Sequence, residues 1–231
     1  MSTDDVRETF LSFFEQRGHL RRPSASLVPA TYDASVLLTT AGMHPLKGYF
    51  LGHEQPPAQL LTSCQKCFRT TDIENVGNTA RHLTFFEMLG NFSIGEYFKQ
   101  GAVELAWELS LEGFGFKAED IWITVFEGDE ALGIGPDEEA IAAWESVGVP
   151  RDRIVLCPRS ENFWQAGPTG PCGPSKQPAK RNAVAMSAGI VRIRIVVLPV
   201  MSLVASRGSE ALRQGLQRVL KANLARSFAQ A

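Results

Sequence analysis

Arg69 is the side chain in this sequence best suited to hold an anion. It follows Phe68, and a polar run over residues 70–81 separates it from a compact apolar block, Leu83-Thr84-Phe85-Phe86-Glu87-Met88-Leu89. A guanidinium is a planar, permanently charged fork of five donors that matches phosphate oxygens. The phenylalanine beside it offers a flat face for a base, and the two together describe a nucleotide site. The plainer alternative is a surface arginine paired with Asp72 or Glu74. Phe85 and Phe86 fall on opposite faces of a strand, so one ring faces the nucleotide and the other the core. Glu87 is either a metal or hydrogen-bonding carboxylate or a structural one. Cys64-x-x-Cys67 has zinc-like spacing, but no second pair and no nearby pair of histidines completes a four-ligand site. No metal site is therefore expected.

The elements that must position these groups follow from pattern. The block around Arg69 reads as strand, long loop, strand; a loop of about a dozen residues exceeds the usual two to five of a hairpin and suggests function. Upstream, Val6, Phe10, Phe13 and Phe14 recur on one helical face, with Asp5 and Glu8 as a start signal and Gly18 as a stop. Residues 27–28 and 36–39 read as short strands around a turn. Thr40-Ala41-Gly42-Met43 then gives small residues where backbone can approach closely, ending in an adaptable, apolar methionine whose plain reading is a core residue. Downstream, a helix is expected over 97–109, a strand over 121–126, a helix over 138–147 and a strand over 154–156. Asn162-Phe163-Trp164 falls in a glycine- and proline-rich loop, where a tryptophan is usually a core plug. Mixed elements without regular strand–helix–strand alternation give an α+β class.

The whole chain has 231 residues and is 44% hydrophobic and 21% charged, which suits one sizeable globular unit. No apolar run reaches membrane-spanning length. The start, MSTDDVRETF, is polar and acidic, so a cytoplasmic protein without a signal peptide or membrane partner is expected. Four cysteines are too few and too scattered for a secreted disulfide scaffold. The net charge of −2 hides a break: residues 1–174 hold 13 Lys+Arg against 24 Asp+Glu, and residues 175–231 hold 10 Lys+Arg against Glu210 alone. A boundary near Pro174 follows. Beyond it, a strand over 191–195 and an amphipathic helix over 209–228 are the patterns to be found.

The stretch from Cys64 to Lys99 resembles motif 2 of a class II aminoacyl-tRNA synthetase, and TARHLTFFEMLGNFSIGEYFK resembles the alanyl-tRNA synthetase version in particular. Thr40-Ala41-Gly42-Met43 with Lys47, and Asn162-Phe163-Trp164 followed by Gly170-Pro171-Cys172-Gly173-Pro174, agree with it. The likeness runs in order from Val6 to Pro174, about three quarters of the chain. It implies an antiparallel sheet flanked by helices over residues 1–174. It also implies an alanine–tRNA ligase that uses ATP and Mg2+ to form alanyl-adenylate and passes alanine to tRNA(Ala). In that activity Arg69 is the catalytic residue at the α-phosphate. Phe85 and Trp164 bind ATP, and Met43 with Trp164 binds alanine. Leu83 stands where many relatives carry a histidine and cannot make its hydrogen bond. After Pro174 the likeness stops: Ser175-Lys176 replace a cysteine and an acidic residue, and motif 3, a glycine-rich segment ending in Glu-Arg, does not follow. Residues 175–231 are expected to be a basic tail from a truncated or frame-shifted reading, or a natural extension. A non-catalytic remnant that binds a nucleotide or partner protein is the alternative function.

Overall fold

A computed structural model describes residues 1–29, 32, 36–70, 73, 76, 78, 83–130, 133–165 and 172–174. Helix α1 (Thr3–Glu15) starts earlier than the pattern suggests, because Ser2 caps it: Ser2 Oγ accepts from the Asp5 N–H and the Asp5 carboxylate accepts from the Ser2 N–H. This reciprocal box satisfies two N-terminal donors. Gly18, at φ 81°, then turns the chain into β1 (Leu20–Arg22), a strand too short for its sequence to announce.

The centre of the molecule is β2 (Leu60–Phe68) paired antiparallel with β3 (Phe85–Ser93), in register from Leu60↔Ser93 to Phe68↔Phe85. Strand β1 adds to the other edge of β2 in parallel. The long hairpin expected around Arg69 is therefore present, and its second strand runs on to Ser93.

Behind this sheet, α3 (Lys99–Glu108) ends in a wide π-type turn, Leu109–Gly113, before β4 (Ile123–Phe126). Helix α4 (Glu138–Ser146) connects β4 to β5 (Ile154–Cys157), and these two strands are parallel. Ile123, Val125, Ile141, Trp144 and Ile154 pack with Val103 and Ala106 of α3 into one apolar core. Lys99 ties the two helices together: its buried ammonium donates to Asp137 at 2.8 Å and to Glu139 at 2.7 Å, while Asp137 also caps α4 through the Ala140 N–H. A buried cation is tolerable only with such partners.

Three expectations need correction. Residues 27–28 and 36–39 form no strands; the Thr39 N–H donates to the Leu27 carbonyl at 2.8 Å and the Val28 N–H to Ser26 Oγ at 3.1 Å. Asn162-Phe163-Trp164 is not plain loop, since α5 (Arg159–Asn162) leads into β6 (Phe163–Gln165), which pairs antiparallel with β7 (Cys172–Pro174). Nor is every strand pair antiparallel, because β1–β2 and β4–β5 run parallel, the latter through the α4 crossover. The α+β class holds. Residues 175–231, with the expected strand and helix there, lie outside the described residues.

Candidate functional site

A strand has two faces, and the β2–β3 pair uses them differently. On one face Cys64 and Leu89 pack against Phe10, Leu11, Phe13 and Phe14 of α1. Glu87 belongs to this face and is held by Arg7 of α1, through Nε at 3.1 Å and Nη2 at 2.8 Å. The Glu87 carboxylate thus fastens α1 to β3, which is the structural one of its two readings.

The other face carries Leu61, Ser63, Gln65 and Cys67 of β2 opposite Phe92, Gly90, Met88 and Phe86 of β3. Gly90 is required there: a Cβ at that position would come within 2.6 Å of the Phe92 ring. The loop from Thr39 to Met43, followed by the turn His44–Leu46 and α2 (Lys47–Phe50), lies over this face. Met43, Leu46, Phe50, Leu61 and Phe92 form its core, and Trp164 of β6 packs against them. The Gly42 N–H points at Met88 Sδ, at 3.2 Å.

Arg69 stands just beyond the end of β2, on the same face. Its backbone N–H donates to the Thr84 carbonyl at 2.8 Å, continuing the ladder by one more residue. Its Nε donates to the Thr40 carbonyl at 2.8 Å, and its guanidinium carbon lies 5.3 Å from the centre of the Phe86 ring. The acceptor is neutral, so Arg69 keeps its full charge while its orientation is set. Among the described residues no carboxylate pairs with it; Asp72 and Glu74, the surface partners considered above, lie outside them.

Of the residues expected at a nucleotide and amino-acid site, Arg69, Met43 and Trp164 therefore share one face. Phe85 does not. It sits opposite Phe68, on the face of Glu87, and is 48% exposed. The ring beside the guanidinium is that of Phe86. Alternation along the strand identified the choice but not the outcome, because only the position of Arg69 and the Thr40 loop says which face is which. Leu83 is exposed, and His82 lies outside the described residues.

The family described as tRNA synthetases class II (A) matches residues 5–178. The chain belongs to the class II tRNA synthetases. It is 52% identical over 178 residues to the alanine–tRNA ligase of Caldicellulosiruptor saccharolyticus, a match that covers 77% of this chain and 19% of the relative. The alanine–tRNA ligase of Thermoanaerobacter pseudethanolicus is 51% identical over the same length and coverage. That of Rubrobacter xylanophilus is 52% identical over 178 residues, 20% of its length. The chain thus spans about a fifth of the curated relatives it matches.

Within this synthetase chain the two cysteines are separated by the sheet, Cys67 on the face of Arg69 and Cys64 on the face of α1. Cys64 and Cys67 are three apart on an extended strand, so their thiols leave opposite faces. Burial pushes both up to about 11, which keeps them protonated and unreactive near neutrality. Among the described residues no group of three His, Cys, Asp or Glu could hold a metal. Among the same residues no helix is long and apolar enough to cross a membrane.

Three contributors escaped sequence reasoning. Thr40 acts through its carbonyl, which no side-chain pattern reveals. Thr39, fully buried, carries the loop that holds this carbonyl. Gln65 is buried too, its amide bonded both ways to Ala25: Oε1 accepts from the Ala25 N–H at 2.8 Å and Nε2 donates to its carbonyl at 3.1 Å. A glutamine at an inward strand position between Leu61 and Cys67 was the available signal.

Proposed function

We propose that this chain carries the N-terminal part of an alanine-activating site, in which alanine attacks the α-phosphorus of ATP to form alanyl-adenylate for transfer to tRNA(Ala). The observation that carries the reading is the position of Arg69: a cation oriented by a neutral carbonyl, at the edge of a face lined by Met43, Phe86 and Trp164. Negative charge on the phosphate oxygens grows as the carboxylate attacks and pyrophosphate leaves. A preorganised donor aimed at that charge lowers the barrier without reorganising during the step. In this reading Phe86, with Arg69 over its ring, lines the adenine, and Met43 with Trp164 bounds the small side chain of the amino acid. Mg2+ arrives as the counter-ion of the ATP phosphates, in keeping with its habit of binding through substrate phosphates. The relatives named alanine–tRNA ligase support the choice of amino acid.

Residues 1–174 act as one unit in this proposal and residues 175–231 as a separate basic segment. The charge break near Pro174 and the end of the family match at residue 178 support that division. No Glu-Arg pair occurs anywhere in the chain, so the second cation and second adenine face that the family resemblance assigns to motif 3 are missing from it. Weak activation and ATP binding without tRNA charging are the expected behaviour, in the cytoplasm where the tRNA is.

The test is ATP binding and alanine-dependent exchange of pyrophosphate into ATP. Loss of one preorganised donor typically costs about 10²–10³ in rate. Arg69→Ala should lose exchange on that scale in a version extended to the full length of the relatives, and should lose ATP binding in the chain as it stands. Unchanged binding and exchange would remove Arg69 from the site.

A further inference from the structure

Among the described residues, the carbonyl that aims the Arg69 guanidinium is that of Thr40, and it belongs to a loop. The orientation of Arg69 therefore rests on whatever fixes residues 39–40. Thr40 is constrained from its own side by its N–H, which points at His44 Nδ1 at 3.4 Å. Thr39 supplies the rest. Its side chain is fully buried, and its Oγ1 donates to the Ser26 carbonyl at 2.8 Å. The same oxygen lies against the Tyr32 hydroxyl, which itself reaches the Ser26 carbonyl at 2.7 Å. Its backbone is bonded on both sides: the N–H donates to the Leu27 carbonyl at 2.8 Å, and the carbonyl accepts from the Phe68 N–H at 2.9 Å. The segment that Thr39 grips is in turn fixed to β2. Gln65 holds Ala25 from both of its backbone groups, and Ser24 Oγ accepts from the Lys66 N–H at 3.1 Å.

We infer that Thr39 is a positioning residue for Arg69: its hydroxyl locks the 39–40 loop onto the segment around Ser26, so that the Thr40 carbonyl holds Nε of Arg69 in one orientation. Thr39 bears on Arg69 through the backbone: its neighbour Thr40 supplies the carbonyl, and its own carbonyl accepts from the N–H of Phe68, next to Arg69. The inference uses the proposed nucleotide site for its significance, but the geometry it asserts is a property of the free chain. A fixed fork forfeits less freedom on meeting a phosphate than a mobile one, which is why orientation bears on affinity.

Thr39→Val keeps the shape of the side chain and removes the donor, while the Ser26 carbonyl retains the Tyr32 hydroxyl. Thr39→Ser keeps the donor. The readout is hydrogen exchange at the Arg69 Nε–H, observed by 15N-resolved NMR on the 231-residue chain and assigned through its disappearance in Arg69→Lys. Exchange should be at least about tenfold faster in Thr39→Val, as expected when a bond of about 1.4 kcal/mol is lost, and should return to the parent rate in Thr39→Ser. Equal rates in the parent and Thr39→Val would overturn the inference. If Thr39→Val does not fold, Thr39→Ala asks the same question with a smaller side chain. An Nε–H exchanging several times faster supports the inference there, and an unchanged one sinks it. ATP–Mg2+ titration of the parent chain is the separate arm. A chain whose Nε–H responds to these substitutions but which binds no ATP would overturn the nucleotide reading and leave the positioning role standing.

Discussion

Two arginines flank the central strand pair, and they have opposite fates. Arg7, on the α1 side, is bound by Glu87 through two nitrogens and by Asp4, so its charge is spent within the fold. These hydrogen bonds, that of Glu87 first, hold its guanidinium above its ordinary range. Arg69, on the Trp164 side, is oriented by a carbonyl and by proximity to a ring. The first arrangement fastens a helix to a sheet. The second fixes a direction, and among the described residues no carboxylate meets its charge. Residue type does not separate them; the charge of the acceptor does.

The sharpest way to separate the two faces is to damage each alone. Phe14, fully buried between Phe10, Phe13 and His19, anchors the α1 side. Phe14→Ala should destabilise the fold by about 3–5 kcal/mol, the usual cost of emptying an aromatic core site, read as a lower urea midpoint. Arg69→Ala, which removes one hydrogen bond of a half-buried side chain, should cost no more than about 1.5 kcal/mol, while removing ATP binding. A comparable loss of stability from both would erase the distinction.

A smaller effect is expected where the α1 side is polar. Glu87→Gln removes the ion pair with Arg7 but keeps a hydrogen-bonding group of the same shape. The side chains are 31% and 23% exposed, so solvent screens part of the interaction. A loss of about 1 kcal/mol is expected, with ATP affinity unchanged; a drop in affinity would place Glu87 in the site after all.

The smallest effect is a pH dependence confined to the sealed side. Burial holds His19 below the ordinary histidine value of 6.5, with Nε2 2.8 Å from the Tyr97 hydroxyl. Asn91 Nδ2 donates to that hydroxyl at 3.0 Å, and burial raises the phenol to about 12. The phenol therefore stays protonated, against a neutral imidazole. The unfolded chain takes up the histidine proton first, so stability is full above about pH 6.5 and declines as pH falls below it. Urea midpoints at pH 7.5 and 5.5 should differ accordingly, and His19→Gln should flatten the difference. A midpoint that rises on acidification would show that His19 is charged in the fold.

Much of the scaffold was legible before any coordinates. The helical spacing of Val6, Phe10, Phe13 and Phe14 returns as α1, and the apolar runs around Ile123 and Ile154 return as β4 and β5. These elements announce themselves because burial of one face imposes a period on the residues. Arg69 was legible for a different reason: a permanent cation flanked by an aromatic ring and followed by a long polar loop is an unusual local combination. The opposite faces of Cys64 and Cys67 follow from strand spacing alone.

What the chain's order of residues left open was decided by contacts between segments far apart in it. Phe85 and Phe86 differ by one position, and their roles separate only because the Thr40 loop covers one face and α1 the other. The expected strands at residues 27–28 and 36–39 are absent: the Thr39 N–H donates to the Leu27 carbonyl, the Val28 N–H to Ser26 Oγ, and the Thr39 carbonyl accepts from the Phe68 N–H at the end of β2. Propensity measures what a segment prefers alone, and here long-range hydrogen bonds outweigh it. The partner of β6 is β7, across an intervening run of glycines and prolines that carries no periodic signal. Composition and spacing thus announced α1, the β2–β3 pair, α3, β4, α4 and β5, and singled out Arg69 as a candidate. The direction in which that side chain points depends on one backbone carbonyl, and a carbonyl is common to every residue, so only the folded chain could assign it.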